Sequence, residues 1–337
     1  MPPFLKNAFD RVKSSLDSLF DRLTLGAGTP GRERETPRWL PWLAGLLVFV
    51  LVVYYPVGMA FYTTIDDNPD YQPSPKYLVE GGSRAVAIAA SLVDRETEYW
   101  APNKPLWMPA AALDNMPNYQ QGMVSAIGRF ALGLSDFLAR VRGSSAADPD
   151  VRRAVGFLNY DGTIWYWGQG NIIPMAKSET QFRQACEALL AYNKNVAAGR
   201  ATYERRADNL IEFLSRVASD LGSASASLDE RAEASNAGYF DRKADDVFYD
   251  VKGRLYAYYL ILRELGADFA PVIRERQAQA VWDQMLESLK AAAKMNPLVI
   301  ANGDEDGMIV PSHLRTLESS LLRSRTQIKE LADVFQK

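Results

Sequence analysis

In the stretch SETQFRQACEALLAYNKNVAAGRATYERRADNLIEFLSRVASDLG (178–222), the residues Phe182, Cys186, Leu189, Asn193, Val196, Arg200, Tyr203, Ala207, Leu210, Leu214, Val217 and Leu221 recur at alternating steps of four and three. That spacing holds one stripe on one side of an α-helix and is the seam pattern of a coiled coil. Ser178 with Gln181 reads as a capping box at the start and Gly222 as a stop, so one helix of about 60 Å is expected from its rise per residue. Asn193 and Arg200 interrupt the seam; such residues fix register or line a solvated gap, the alternative being a site between helices.

The spacing returns on both sides of this stretch. Phe248, Val251, Leu255, Tyr258, Leu262 and Leu265 repeat it, with Gly266 as the expected C-terminal stop. A further helix is expected from about Ala270 to Met295, ended by Asn296-Pro297. The last, from Ser312, carries Leu314, Leu317, Leu321, Ile328, Leu331 and Phe335. Toward the N-terminus, Ser83 caps a helix running to about Trp100. Asn118 with Gln121 resembles a capping pair opening a helix that ends near Gly143, and Asp148-Pro149 forms an N-cap and N1 pair. The exception is TIWYWGQGN (163–171), where β-prone aromatics follow the Asp161-Gly162 turn.

The expected fold class is therefore all-α: one transmembrane helix plus an elongated exported helical bundle, with long coiled-coil-like helices and a short aromatic hairpin or loop. The transmembrane helix is WLPWLAGLLVFVLVVYYPVGMAFY (39–62), an uncharged run of 24 residues. As a helix it extends roughly 36 Å against a hydrocarbon core of about 30 Å. Trp39, Trp42, Tyr54, Tyr55 and Tyr62 lie toward its ends, where amphipathic rings prefer the headgroup region. The run exceeds the about 7–15 residue core of a signal peptide, and no A-x-A-like cleavage site follows it.

Arg22, Arg32, Arg34 and Arg38 precede the run, whereas Asp66, Asp67 and Asp70 follow it before the first base, Lys76. The positive-inside rule then places the N-terminus in the cytoplasm and exports the chain from about residue 65, into the periplasm of a Gram-negative cell. The expected organisation is a cytoplasmic amphipathic helix (1–24) with the stripe Leu5, Phe9, Val12, Leu16, Leu19 and Leu23, and a linker (25–38). The span (39–62), a polar, proline-rich stalk (63–80) and an exported helical domain (81–337) follow.

The segments GGSRAVAIAASLVDRETEYWAPNKP (81–105) and LDNMPNYQQG (113–122), set just after a single span, resemble a family of uncharacterised bacterial single-pass inner-membrane proteins, a domain of unknown function. The likeness covers most of the chain from the span onward. It implies an inner-membrane location and supplies no activity, ligand or site residue.

Composition removes several chemistries. A net charge of −3, with no Lys/Arg cluster interleaved with aromatics, gives nucleic acid no footprint. One cysteine, Cys186, and one histidine, His313, exclude an intramolecular disulfide and Cys/His zinc sites, and leave a nucleophile little choice of base. Carboxylates stay open. Asp94 and Glu98 stand four apart, so on a helix they share a face with Cβ atoms about 6 Å apart. Trp100 and Trp107 follow, and acids beside aromatic platforms suit glycan cleavage or binding. The plainer reading of the acids is a solvated ion-paired face.

Trp165 and Trp167 share one face of an extended segment and, with Trp100 and Trp107, complete the candidate ligand-binding set, although packing between helices accounts for such rings as well. The three prolines of EYWAPNKPLWMP (98–109) make it a rigid crossover, with Trp100 and Trp107 as anchors into the bundle. In NGDEDGMI (302–309), Asn302, Asp304 and Asp306 alternate as in an EF-hand loop, with Gly307 sixth and Ile309 eighth. The twelfth position, His313, replaces the bidentate Glu, so the alternatives are a polar turn and a weak calcium site of about 10⁻⁴–10⁻³ M. No other cofactor is expected. The function expected is a membrane-anchored, non-enzymatic cell-envelope binding or scaffolding protein whose partners are the lipid bilayer and either its own copies or an envelope protein. The alternative is a peptidoglycan- or glycan-directed binder or hydrolase using Asp94 and Glu98.

Overall fold

The computed structural model describes residues 39–62, 64–141, 148–166, 173–234, 242–297, 300 and 312–336. The segments read as residues 1–24 and 25–38, the ring of Trp167 and the loop with Asn302, Asp304 and Asp306 lie outside the described residues. Two units follow one another along the chain, Met1–Leu51 and Val52–Lys337. In the first, α1 (Leu40–Phe49) is apolar on every side, and a wider π turn, Val50–Tyr54, leads out of it into α2 (Tyr55–Tyr62) of the second. Trp42–Tyr62 is a helix of 21 residues with a mean hydropathy of 2.2, none of it buried by protein. It is long and apolar enough to cross a membrane.

Among the described residues of the second unit every further element is helical: α3 (Arg84–Glu98), a 3₁₀ turn (Pro109–Ala112), α4 (Asn115–Val141), α5 (Pro149–Leu158), α6 (Ser178–Ala197), α7 (Ala207–Ala234), α8 (Arg242–Asp268), α9 (Ala270–Glu275), α10 (Gln279–Ala293) and α11 (His313–Gln336). At the centre lies α8, which packs on α3, α4, α7 and α10. Residues 255–262, LYAYYLIL, are all buried, and a helix apolar around its whole circumference belongs in a core. One group, α3, α5 and α6, covers one part of the core, and α7, α10 and α11 cover another.

Glycine sets the closest approach. A Cβ on Gly122 of α4 would lie 2.0 Å from the Asp250 carbonyl oxygen of α8, and one on Gly253 of α8 would lie 2.1 Å from the Tyr119 carbonyl oxygen of α4. The two helices thus touch backbone to backbone at a reciprocal pair of glycines, which only a missing side chain permits.

Several boundaries differ from the sequence expectation. The single 60 Å helix is two: α6 ends at Ala197, Gly199 takes φ +69°, and the amides of Arg200 and Ala201 turn back onto the Asn195 carbonyl. That is a left-handed glycine stop, after which α7 packs on a different partner, α11. Ser178 is not an N-cap but the first residue of α6, its hydroxyl donating to the Asp161 and Ile164 carbonyls. Asn118 lies inside α4 and donates to Asp246 Oδ1. Gly266 does not stop α8. It makes room for Trp282, whose Nε1 would lie 2.5 Å from an added Cβ. Likewise 270–295 is two helices, parted at Gln277 with φ 51°.

Other signals hold. Ser83 Oγ accepts from the Val86 amide at the start of α3, and Asp148 caps α5 by accepting from the Asp150 amide ahead of Pro149. The described part of the aromatic segment, Thr163–Tyr166, is irregular: the Met175 amide donates to the Tyr166 carbonyl at 2.7 Å and the Ser178 amide to the Ile164 carbonyl at 3.0 Å. Asn193 is buried, and its amide group binds the Ser83 amide and the Tyr77 and Ser83 carbonyls, so this seam residue fixes an N-terminus rather than a coiled-coil register.

Candidate functional site

The chemistry-bearing residues gather where the chain passes from α2 into the bundle. The segment read as a stalk, 63–80, is not a spacer in its described part: Pro69, Pro73 and Tyr77 are buried against the bundle. Its carbonyls are held in sequence. Tyr119 and Arg95 donate to the Asp66 oxygen at 3.2 and 3.1 Å, Tyr256 to Asn68 at 2.8 Å, and Arg263 to Pro69 at 2.6 Å and also to Tyr71. The Ser74 amide donates to Ser91 Oγ at 2.8 Å. A polar strap without helix or strand partners has to satisfy its backbone through side chains, and here α3, α4 and α8 supply them.

Beneath the strap lies an ionic cluster. Arg95 pairs with Glu96 at 2.7 Å and Asp66 at 2.9 Å, with its guanidinium over the Tyr71 ring at 4.6 Å. Glu96 also accepts from Gln120 Nε2 at 3.1 Å. Lys252 has a side chain of 0% exposure, and its Nζ lies 2.8 Å from Asp67 Oδ2, a charge contact not angled as a hydrogen bond. Burial pushes the Tyr256 hydroxyl up to about 12, against the opposing pull of Arg95, and carries Tyr119 well above its ordinary value, with Glu96 adding to the rise. These groups hold charge and orient backbone; they are placed to fasten the strap.

The crossover EYWAPNKPLWMP behaves as a clamp at one end. Trp100 is 0% exposed, its Nε1 donates to the Gly162 carbonyl at 2.8 Å and its ring stands edge-on to Phe182. Next to it, Asn103 and Lys104 grip Glu179 in the first turn of α6 at 2.6 and 2.7 Å. Burial raises the Glu179 carboxyl, but bonds from Lys104, its own backbone and Asn103 outweigh that and leave it below the usual range. At the other end the expectation fails: Trp107 is not an anchor into the bundle but 62% exposed, and Leu106 is 83% exposed. Their backbone is fixed from the end of the π turn and the start of α2, where Tyr54 donates to the Trp107 carbonyl at 3.0 Å and Tyr55 to the Leu106 carbonyl.

Trp107 does meet Trp165, edge-on at 5.4 Å, and Trp165 meets Tyr166. Lys177 Nζ stands 4.3 Å from the Tyr166 centroid and 5.4 Å from that of Trp165. So the structure brings together Trp107 and Trp165 while placing Trp100 in the interior. The acid pair is apart from these rings in chemistry: Asp94 accepts from Lys76 at 3.2 Å, and Glu98 is exposed. A cleft of about 330 Å³ lies beside Trp100, lined by Gln121, Ser125, Arg129, Asn159 and Tyr160, and neither Asp94 nor Glu98 borders it. Cys186 is buried, with its thiol pushed up to about 12 mainly by burial. Among the described residues no group of three or more His, Cys, Asp or Glu could hold a metal ion.

Arg95, Glu96, Lys252 and Asp67 carry no motif and could not be picked out before the fold was known. Only the tyrosines of the apolar helix hinted at a contact, since hydroxyls on such a helix need partners.

No curated protein and no solved structure matches the chain. A family model described as "Uncharacterized protein conserved in bacteria (DUF2333)" matches residues 71–239 and 231–337. From residue 71 to its last, the chain belongs to this bacterial family.

Proposed function

We propose that this protein is a single-pass, N-in inner-membrane protein whose helical bundle stands on the periplasmic side and serves the cell envelope as a binding or scaffolding module rather than as a catalyst. The observation that carries the reading is the junction between span and bundle. An apolar helix of membrane-crossing length, none of it fully buried, runs into a strap whose carbonyls are clamped by Arg95, Tyr119, Tyr256 and Arg263. A tether that only retained a diffusing enzyme would need none of these bonds. A part that must bear or hold a fixed position at a membrane would. The seams of α7, α8 and α11 are consumed by packing within the bundle, which favours a partner held at another surface over assembly through those seams.

Crosslinking in native membranes, followed by identification of the captured proteins, tests the reading. Envelope proteins captured reproducibly, and lost when the strap is loosened by Arg263→Ala, support it. Recovery of the protein's own copies alone would contradict a hetero-partner scaffold.

A further inference from the structure

We propose that the turn Pro105–Met108, with Leu106 and Trp107 at its tip and the Trp165–Tyr166–Lys177 group beside it, is a second membrane contact, inserted into the leaflet on the bundle's side of the bilayer that residues 42–62 cross. It rests on the reading of that helix as a span and adds to it a site on the bundle itself, with lipid as the ligand.

Depth is the first argument. The turn is bonded to Tyr54 and Tyr55, and a Cβ added to Gly58 would meet Pro109, so turn and helix lie in direct contact. Tyr55 precedes Tyr62, the last residue of the helix, by about 10 Å along the helix axis. If the apolar helix is in the bilayer, Leu106 and Trp107 share its level, below the boundary marked by Tyr62 and the charged Asp66 and Asp67.

Backbone accounting is the second. Unpaired carbonyls are tolerated in water and are costly in hydrocarbon. The carbonyls at this tip are paired although the side chains are exposed: Pro105 accepts from the Met108 amide at 2.8 Å, Leu106 from Tyr55 and Trp107 from Tyr54, while the Leu106 and Trp107 amides have no partner among the described residues, which suits the polar interface rather than the hydrocarbon core. Pro105 itself has no N–H to satisfy.

Composition is the third. Leu106 and Trp107 point outward, and Ile173, in the same chain segment as Lys177, is 78% exposed. Lys177 lies over the rings of Trp165 and Tyr166, the arrangement of a cation that faces phosphate headgroups while its rings occupy the interface. A protein partner would be an alternative occupant of this surface, but it would have to lie within the membrane boundary.

The full chain, carrying a nitroxide label at Leu106→Cys, is reconstituted in nanodiscs of phosphatidylethanolamine and phosphatidylglycerol. Collision rates with oxygen and with a water-soluble nickel chelate are then read by electron paramagnetic resonance. Cys186 is buried and its thiol poorly ionised, so it stays unlabelled. Val48→Cys in the helix and Glu80→Cys on the bundle surface are the lipid and water references. The expected result is a label at Leu106 dominated by oxygen, at a depth of about 5–10 Å. A label at Leu106 as open to nickel as that at Glu80, with Val48 in lipid, would overturn the inference and leave the span intact. A label at Leu106 shielded from both probes means a protein cover and also overturns it. Nickel access at both Leu106 and Val48 removes the span and the inference together.

Discussion

Changing Gly253 to Ala should destabilise the protein, while the same change at Gly156 should stabilise it. Taken alone, alanine is the better helix former by about 1 kcal/mol. At Gly253 the new methyl would lie 2.1 Å from the Tyr119 carbonyl oxygen and 3.0 Å from the Met123 amide nitrogen, where an ordinary contact begins at 3.4 Å. The obstacle is backbone, so no rotamer relieves it, and α4 and α8 must separate by more than 1 Å along a shared core. Overpacking costs about 1–3 kcal/mol, and a backbone obstacle belongs at the upper end, leaving a net loss of about 2 kcal/mol after the propensity gain. At Gly156 nothing lies within 4 Å, so the gain of about 1 kcal/mol stands unopposed. Urea unfolding of the full chain in mild detergent, followed by circular dichroism, measures both variants. Gly253→Ala at or above wild-type stability would refute the backbone contact between α4 and α8.

Two other perturbations read the strap and its surroundings. The Tyr256 hydroxyl keeps its proton to about pH 12 because it is buried, and Tyr119, Tyr203 and Tyr258 are raised for the same reason, while unfolded tyrosines ionise near 10. The native state then holds more protons, so stability is full below pH 10 and falls as pH rises from 10 through 12, which urea midpoints against pH will show; a flat alkaline limb would contradict the burial. Asp67→Ala strips the fully buried Lys252 of its counter-ion and should cost about 3 kcal/mol, the low end for a broken buried pair because Asp67 is 30% exposed. Lys252→Met should cost little or nothing, and equal losses in the two variants would deny the pairing.

The sequence disclosed what periodicity encodes and missed what depends on a partner. Helix faces were legible because Leu210, Leu214, Val217 and Leu221 are buried at the expected spacing. The stop at Gly199 was hidden because the spacing resumes in phase: the segment between α6 and α7 keeps Val196 and Leu210 two heptads apart. Gly266 read as a stop and Gly122 and Gly253 carried no signal of their own, whereas each marks the place where another helix or a tryptophan comes close. The proline-rich 63–80 had the composition of a spacer, and only side chains as distant as Arg263 convert it into a strap. Trp100 and Trp107 are alike in sequence, yet one is enclosed by Phe182 and Gly162 and the other has its carbonyl held by the Tyr54 hydroxyl of the π turn.

The central claim is that the chain crosses a membrane once and holds its bundle on the far side. A pair of C-terminal fusions to the full-length chain, one to alkaline phosphatase and one to a reporter that matures only in the cytoplasm, measures this most directly. An active phosphatase with a silent cytoplasmic reporter is the predicted result. A silent phosphatase with an active cytoplasmic reporter would contradict the account.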